Sequence, residues 1–308
     1  MTGPTRPTIA CVGQTNIDLV FMIDDAVAPG EKHRARAMSV ICGGGAANQA
    51  TTIARLGGRA LLVTRLGGDP AAVAALDELR DVGVDVSLVE RSDEASTASS
   101  AVVVDDAGGR TIVDHADPAL YFGRPPELPA VDAIVTDGRW GSATMSAIRH
   151  ARDLGVPAVA DIDEHVPVER IHEIDELATH IIYSERGLLH HHPDASDDVV
   201  DALHHAQRRT DAFVAVTRGE RGVVWLDAGE LRHRVVLDVE VVDSTGAGDV
   251  FRAAFAMALA EGRSSEQAID VASMTAALRC TAPTIATGVP TRNEVDQRLV
   301  AMRSEVAV

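Results

Sequence analysis

Residues 241–255 read VVDSTGAGDVFRAAF, and this stretch decides how the rest of the chain is to be arranged. An extended apolar run ends at Asp243, the small residues Gly246, Ala247 and Gly248 follow, and Asp249 opens an alanine-rich helix expected over 250–261. Small side chains leave successive backbone N–H groups open, and a helix start adds partial positive charge, so the segment suits an anion without any cationic side chain. Phosphate is the expected occupant. A carboxylate in a first helical turn would by itself be a favourable cap. Beside an anion site, Asp249 also stands where a base would take the proton of a hydroxyl attacking that phosphate. No lysine follows the glycines as in a Walker loop, and the run does not follow the first strand as a Rossmann fingerprint would.

Outward from this stretch, short apolar β-type runs alternate with alanine-rich amphipathic segments. Strands are predicted at 8–12, 60–64, 133–136, 158–160, 180–183, 212–216 and 222–226, and helices at 46–56, 70–81, 142–154, 199–209 and 250–261. That alternation predicts an α/β fold, a doubly wound, mostly parallel sheet with helices on both faces. Two places break it. Residues 98–104 and 110–114 flank the turn DDAGG at 105–109, a hairpin signal, and 17–23 and 34–40 also read as extended. Together they predict a small inserted β-sheet, a lid formed by about 17–40 and 97–115, over a cleft in a single domain spanning 1–308. The segment FGRPPELP at 122–129, with three prolines, returns the chain from lid to core.

The 308 residues are 46% hydrophobic, enough to build a core without disulfides or metal. Cys11, Cys42 and Cys280 lie far apart and match no zinc spacing, which points to a reduced, cytoplasmic chain. The N-terminus has no basic segment leading into an apolar one, and no 18 apolar residues run together, so neither secretion nor a membrane span is expected. A net charge of −18 argues against a nucleic-acid surface, and 3% aromatic content offers no stacking platform for single strands. The run HHHPDASDD at 190–198, followed by His204 and His205, raises a metal site as one reading. Consecutive histidines point different ways and no carboxylate pairs with them at helical spacing, so a solvated loop and helix start is the plainer one.

The pattern Asp-x-Thr-Gly-Ala-Gly-Asp-x-Phe at 243–251 resembles the C-terminal signature of the ribokinase and PfkB carbohydrate kinases. GGGAAN at 43–48 with RLGGRALLVTRLGGD at 55–69 is similar to that family's first signature, and GQTNID at 13–18 to its sugar-binding strand end. The resemblance covers nearly the whole chain. It implies a ribokinase-like fold and an ATP-dependent sugar kinase, with Gly246, Ala247 and Gly248 as the anion hole for the γ-phosphate and Asp249 as general base. It also implies Asn16, Asp18, Gly44, Gly45 and Asn48 at the sugar. Neutral sugars call for Asp and Asn partners, and glycines let the substrate approach the backbone. VTRGERG at 216–222 is similar to the family's nucleotide strand end, which implies Thr217 and Gly219 at the nucleotide, together with Ser184 and Gly248, and adenine against 275–283. Asp243 and Thr245 match positions that bind a monovalent cation such as K+, and Mg2+ is expected through phosphates and water. Lids of such kinases often pair, which implies a homodimer. One departure is SERG at 184–187, where the family carries Asn-x-x-Glu; others are Ala253 for a customary Gly and Arg252 before it.

The acceptor is the open question. VVVDDAGGRTIV at 102–113, DGRW at 137–140, SERGL at 184–188, STGAGDVF at 244–251 and AALRCTAP at 276–283 resemble in texture the bacterial sulfofructose kinase branch. Arg139, at a core strand end, either binds a sulfonate or phosphate through its planar fork or pairs with Asp137 or Asp161. Asp114 stands at a lid position where that branch carries a neutral Asn. A carboxylate beside an anion is repulsive by about 1 to 4 kcal/mol at ~4 Å, which favours a neutral fructose- or ribose-like sugar. The alternatives are an anionic sugar, such as sulfofructose or 2-keto-3-deoxygluconate, and a non-catalytic sugar- or nucleotide-binding protein, for which the altered 184–187 segment is the support.

Overall fold

The computed structural model describes residues 6–107, 109–195, 198–283 and 285–306. Gly108 at the hairpin tip, Ser196 and Asp197 of the histidine-rich run, and Thr284 lie outside the described residues.

The strands are β1 (Thr8–Val12), β2 (Asn16–Met22), β3 (Ala37–Gly43), β4 (Arg59–Val63), β5 (Arg65–Gly67), β6 (Glu90–Ser92), β7 (Ala98–Val104), β8 (Arg110–His115), β9 (Ala133–Thr136), β10 (Ala158–Ile162), β11 (His180–Ser184), β12 (Phe213–Thr217), β13 (Val223–Asp227) and β14 (Glu230–Arg234). The α-helices are α1 (Gly45–Arg55), α2 (Pro70–Asp81), α3 (Gly141–Leu154), α4 (Val168–Leu177), α5 (Glu185–His191), α6 (Val199–Gln207), α7 (Ala247–Ala260), α8 (Ser265–Arg279), α9 (Ile285–Gly288) and α10 (Arg292–Val306).

Eight strands form the main sheet in the order β14-β13-β12-β11-β10-β9-β1-β4. From β4 to β12 all neighbours are parallel, and β13 and β14 close one edge as an antiparallel hairpin. Strands buried on both sides read as continuous apolar runs, and β1 shows why. Its Ile9 and Cys11 join the core beneath α1, α7 and α8, while Ala10 and Val12 join the core beneath α3, α4 and α6. Helix α7 lies between the sheet and α8, and every residue from Val250 to Ala258 is buried. A helix apolar on all sides has no other stable place.

A second sheet, in the order β3-β2-β7-β8, carries the inserted strands expected from 17–40 and 97–115. The chain passes straight from β1 into β2, so this sheet hangs from the carboxyl ends of the main strands. Helix α2 supports one side, where the Cys42 amide donates to Glu78 Oε2 at 2.8 Å. Met38, Val40, Ile112 and Val113 remain exposed on it.

Several elements escape the sequence pattern. The run 241–243, expected to be extended, belongs to no strand and bends at Val242, and its valines are exposed; the amides of Val242 and Asp243 both donate to the Cys280 carbonyl instead. Helices α4, α5, α8 and α10 and strand β14 were not anticipated. For α8 a signal existed: Ser264 and Gln267 form a reciprocal capping box. Among the described residues no helix is long and apolar enough to cross a membrane.

Candidate active site

In open α/β sheets the crevice beyond the carboxyl ends of the strands is where ligands bind, and many of the predicted residues, though not Asp114, gather there. Gly13 follows β1 with φ 149°, and a Cβ on it would run into the Asp137 carboxylate. Gly45 also abuts it, since a Cβ there would lie 2.8 Å from Asp137 Oδ2. That carboxylate accepts from the Gln14 amide at 2.7 Å and the Arg139 amide at 3.0 Å, so one buried Asp ties the ends of β1, β9 and α1 together. Burial raises its pKa to about 6, against the pull of Arg139.

Asn16 and Asp18 enter the crevice from β2. Asn16 Nδ2 donates to Asp18 Oδ1 at 2.6 Å, and across the lid Asp18 aligns with Ser100 and Ser100 with Asp114. Gly43 and Gly44 make room: a Cβ on Gly43 would sit 2.5 Å from Asp18 Oδ2, and one on Gly44 2.8 Å from Asn16 Oδ1. Burial pushes the Asp18 carboxyl above its ordinary value, opposed by the Ser100 and Asn16 hydrogen bonds.

The first turns of α1 and α7 meet at Asn48 and Asp249, where Asn48 Nδ2 donates to Asp249 Oδ2 at 2.7 Å. Gly246, at φ 69°, is the left-handed residue from which α7 starts. The Ala247 amide donates to Ser244, and the first bond closing the helix is Val250 N to Gly246 O, so the amides of Gly248 and Asp249 fall among the orphan donors of a helix start. Asp249 is half-buried. Burial raises its pKa, while the Asn48 hydrogen bond and then the Arg252 and Arg139 charges draw it back.

Arg252 was read as a tolerable helix residue, yet it is one of the organising charges. It is 3% exposed, its Nε lies 2.5 Å from Asp161 Oδ1, and its Nη1 would be 2.6 Å from a Cβ on Gly248. Gln49 Nε2 reaches the other Asp161 oxygen at 3.4 Å. The signal was available: an arginine inside a helix apolar on every side must meet a buried anion.

Arg139 pairs with an aspartate, but with neither of the two expected. Its guanidinium donates to Asp163 Oδ2 at 2.6 Å, because β10 runs beside β9 and ends at that residue's level; only its backbone amide goes to Asp137. Asp114 stays on the exposed outer strand of the lid. The Tyr121 hydroxyl is held above the usual range by burial first, with Arg139 drawing it down and Asp137 and Asp114 pushing it up.

On the other side of Asp163 opens a cleft of about 510 Å3, lined among others by Ser184, Glu185, Thr217, Arg218 and Gly219. Ser184 caps α5 by accepting from the Gly187 amide at 3.0 Å, and Thr217 Oγ1 donates to the Tyr183 carbonyl at 3.2 Å. The altered SERG segment has a packing reason. A Cβ at Gly187 would lie 2.6 Å from the Ile162 carbonyl, so no glutamate fits there. Glu185 is engaged by Arg218 and Arg221.

Asp243 and Thr245 form a tight turn in which Asp243 Oδ1 accepts from the Thr245 amide (3.0 Å) and hydroxyl (2.7 Å). Arg279 donates to Asp243 Oδ2 from beneath at 2.9 Å. The histidine run is a solvated loop and helix start only in part: Pro193, Asp194 and Asp198 are exposed and Asp198 caps α6, but His191 and His192 are buried. His191 Nε2 contacts the Asp163 carbonyl at 2.8 Å, and the two Nδ1 atoms of His192 and His205 lie 3.2 Å apart. Among the described residues no group of His, Cys, Asp or Glu is arranged to hold a metal ion.

An α/β layer of this topology, with a β-sheet lid over a crevice that opens on a glycine-rich helix start, is a ribokinase-like fold. A candidate ribokinase from Agrobacterium tumefaciens superposes with a TM-score of 0.90 at 31% identity, covering 97% of this chain and 99% of that one. Arabidopsis thaliana ribokinase, described in complex with ribose and ATP, superposes with a TM-score of 0.82 at 24% identity, covering 96% and 99%. In sequence, Bacillus subtilis ribokinase is 27% identical over 94% of this chain and 99% of its own length; Escherichia coli fructokinase is 30% identical over 83% and 91%. The profile of the pfkB family of carbohydrate kinases matches residues 6–292, and the chain belongs to that family. It is a phosphotransferase of the ribokinase and fructokinase type.

Proposed function

We propose that this kinase transfers the γ-phosphate of ATP to a hydroxyl of a small neutral sugar, fructose- or ribose-like, with Asp249 as the general base. The observation that carries the reading is the meeting of Asn48 and Asp249 at the head of α7. It sets a carboxylate beside orphan amides, so that the base and an anion site face one point in the crevice. Asn16 and Asp18 supply the acceptors and donors for sugar hydroxyls, and Gly44 and Gly45 keep the approach clear. The nucleotide would lie along Ser184, Thr217 and Gly219, with its terminal phosphate at Gly246, Ala247 and Gly248. The Arabidopsis relative's ribose and ATP are consistent with such a pair of ligands.

Arg139 bears on the choice of acceptor. Its fork is taken by Asp163, which leaves little net positive charge for a sulfonate or carboxylate and supports a neutral sugar. Magnesium, which would shield the phosphate charge, would be held mainly by phosphate oxygens and water. Asp163, Glu164 and Glu185 are the carboxylates lining the nucleotide cleft, and Gly187 has no room for the glutamate of the family motif. The kinase is expected in the cytoplasm, as a homodimer through the lid.

ADP release measured with ribose, fructose, 2-keto-3-deoxygluconate and sulfofructose tests the reading. Turnover of a neutral sugar is the expected result; preference for sulfofructose or the keto acid would make Arg139 an anion ligand. Asp249→Asn should lower kcat by 10²-fold or more while ATP binding persists, because an amide cannot accept the proton. Retention of more than about a hundredth of the rate would remove Asp249 from that role.

A further inference from the structure

The C-terminal residue of α8 is a fully buried arginine whose charge no part of the phosphotransfer reading has used. Arg279 is 0% exposed. Its Nη1 donates to the carbonyls of Ala282 (2.7 Å) and Asp243 (3.3 Å), and its Nη2 to Asp243 Oδ2 (2.9 Å) and the Thr245 carbonyl (3.2 Å). Three carbonyl oxygens and one carboxylate oxygen therefore converge on a single guanidinium. Hard oxygens of this kind, drawn from two loops, are what an alkali cation requires, and Asp243 and Thr245 are the positions where the motif implies one. Here the planar fork of an arginine satisfies them.

We propose that Arg279 is a built-in cation: it replaces a bound monovalent ion at the Asp243–Thr245 turn and makes this kinase independent of K+. The residues as arranged do not fit both. An ion on the same oxygens would face the guanidinium at close range in a buried setting, where like charges repel strongly. The position of the arginine explains what the charge does. It clamps the turn that leads into Gly246 and α7 against residues 280–282, where the Cys280 carbonyl also accepts from the Val242 and Asp243 amides. The helix start that carries the orphan amides is thus held by a covalently tethered cation. Arg279 is a positioning residue, acting through the turn.

The proposal rests on the phosphotransfer reading only for its rate measurement. The full-length protein would be assayed for ADP release in K+ and in tetramethylammonium, which is too large for an oxygen cage, at equal ionic strength, with thermal unfolding followed in both. The expected result is a rate within about twofold and an unchanged Tm. Arg279→Ala should lose activity at least tenfold in tetramethylammonium and recover part of it in K+, with a Tm that rises with K+ because an ion binding only the folded state stabilises it. Arg279→Lys should remain indifferent to K+. Tenfold activation of the unaltered protein by K+, or a K+-dependent rise of its Tm, would overturn the proposal, as would an Arg279→Ala protein that folds and ignores K+ in both readouts. If the alanine variant does not fold, the unaltered protein and Arg279→Lys still decide. Absence of turnover in every salt would count against the kinase reading alone, since the Tm comparison stands without it.

Discussion

Asp249 and Arg252 stand one turn apart on α7, and the pair shows how a buried charge balance acts on the proposed base. Burial holds the Asp249 carboxyl above its ordinary value, and Arg252 is among the groups that pull it down. In the proposed role of base Asp249 must be ionised, so activity should be lost as pH falls through that raised pKa. Arg252→Met removes the pull, and the acid limb of the pH–rate profile should move to higher pH. The same change leaves Asp161 as a buried anion without its partner, a loss of about 3–5 kcal/mol of stability by urea unfolding. An unmoved acid limb with full stability would show that Arg252 does not face either carboxylate. Asp161 itself is pushed well up by burial, and Arg252 is the first group opposing that push. Read along the chain, Asp249 is conspicuous because its glycines adjoin it. Arg252 is not, because Asp161 lies on β10.

The lid is the element whose surface remains unexplained by the fold of one chain. Aligned positions on β3 and β8 leave Met38, Val40 and Val113 exposed on one face, and Ile112, 56% exposed, on the other. Exposed apolar edge strands invite pairing with another copy, which supports the homodimer proposed above. Val113→Glu should shift the protein toward monomer in sedimentation velocity, since it puts a charge at the most exposed of these positions. A monomeric unaltered protein, or a dimer unaffected by the change, would rule out pairing through this sheet. The DDAGG turn at 105–109 and the extended runs at 17–23 and 98–104 made the strands legible. Their order β3-β2-β7-β8 was not, because β2 and β7 pair in parallel across a long stretch of intervening chain.

Across the whole molecule, burial of titratable groups couples stability to pH in two opposing ways. His180 packs against Phe213 and Phe255, at ring distances of 5.7 and 5.5 Å, and burial lowers its pKa from 6.5 to about 4. His192 behaves alike. Between these values the unfolded chain binds more protons, so their contribution is present above pH 6.5 and is lost as pH falls toward 4. Asp137 and Asp175, both raised to about 6, act in the opposite sense: the folded chain holds their protons, and that contribution is lost as pH rises through 6. His180→Asn should therefore shrink the stability lost between pH 7 and pH 5 by on the order of 1 kcal/mol, the ring being partly exposed. Identical pH slopes for variant and parent in urea unfolding would refute it. The sequence by itself determined the α/β class and the lid strands, and it marked the candidate anion-binding helix start and the candidate base, because each is written in contiguous residues through periodicity, small side chains and helix-start chemistry. Only the tertiary structure decided which carboxylate meets which arginine: Arg139 with Asp163, Arg252 with Asp161 and Arg279 with Asp243. Those partners sit on different elements, and a buried charge takes whichever counter-charge the packing of strand ends brings within reach.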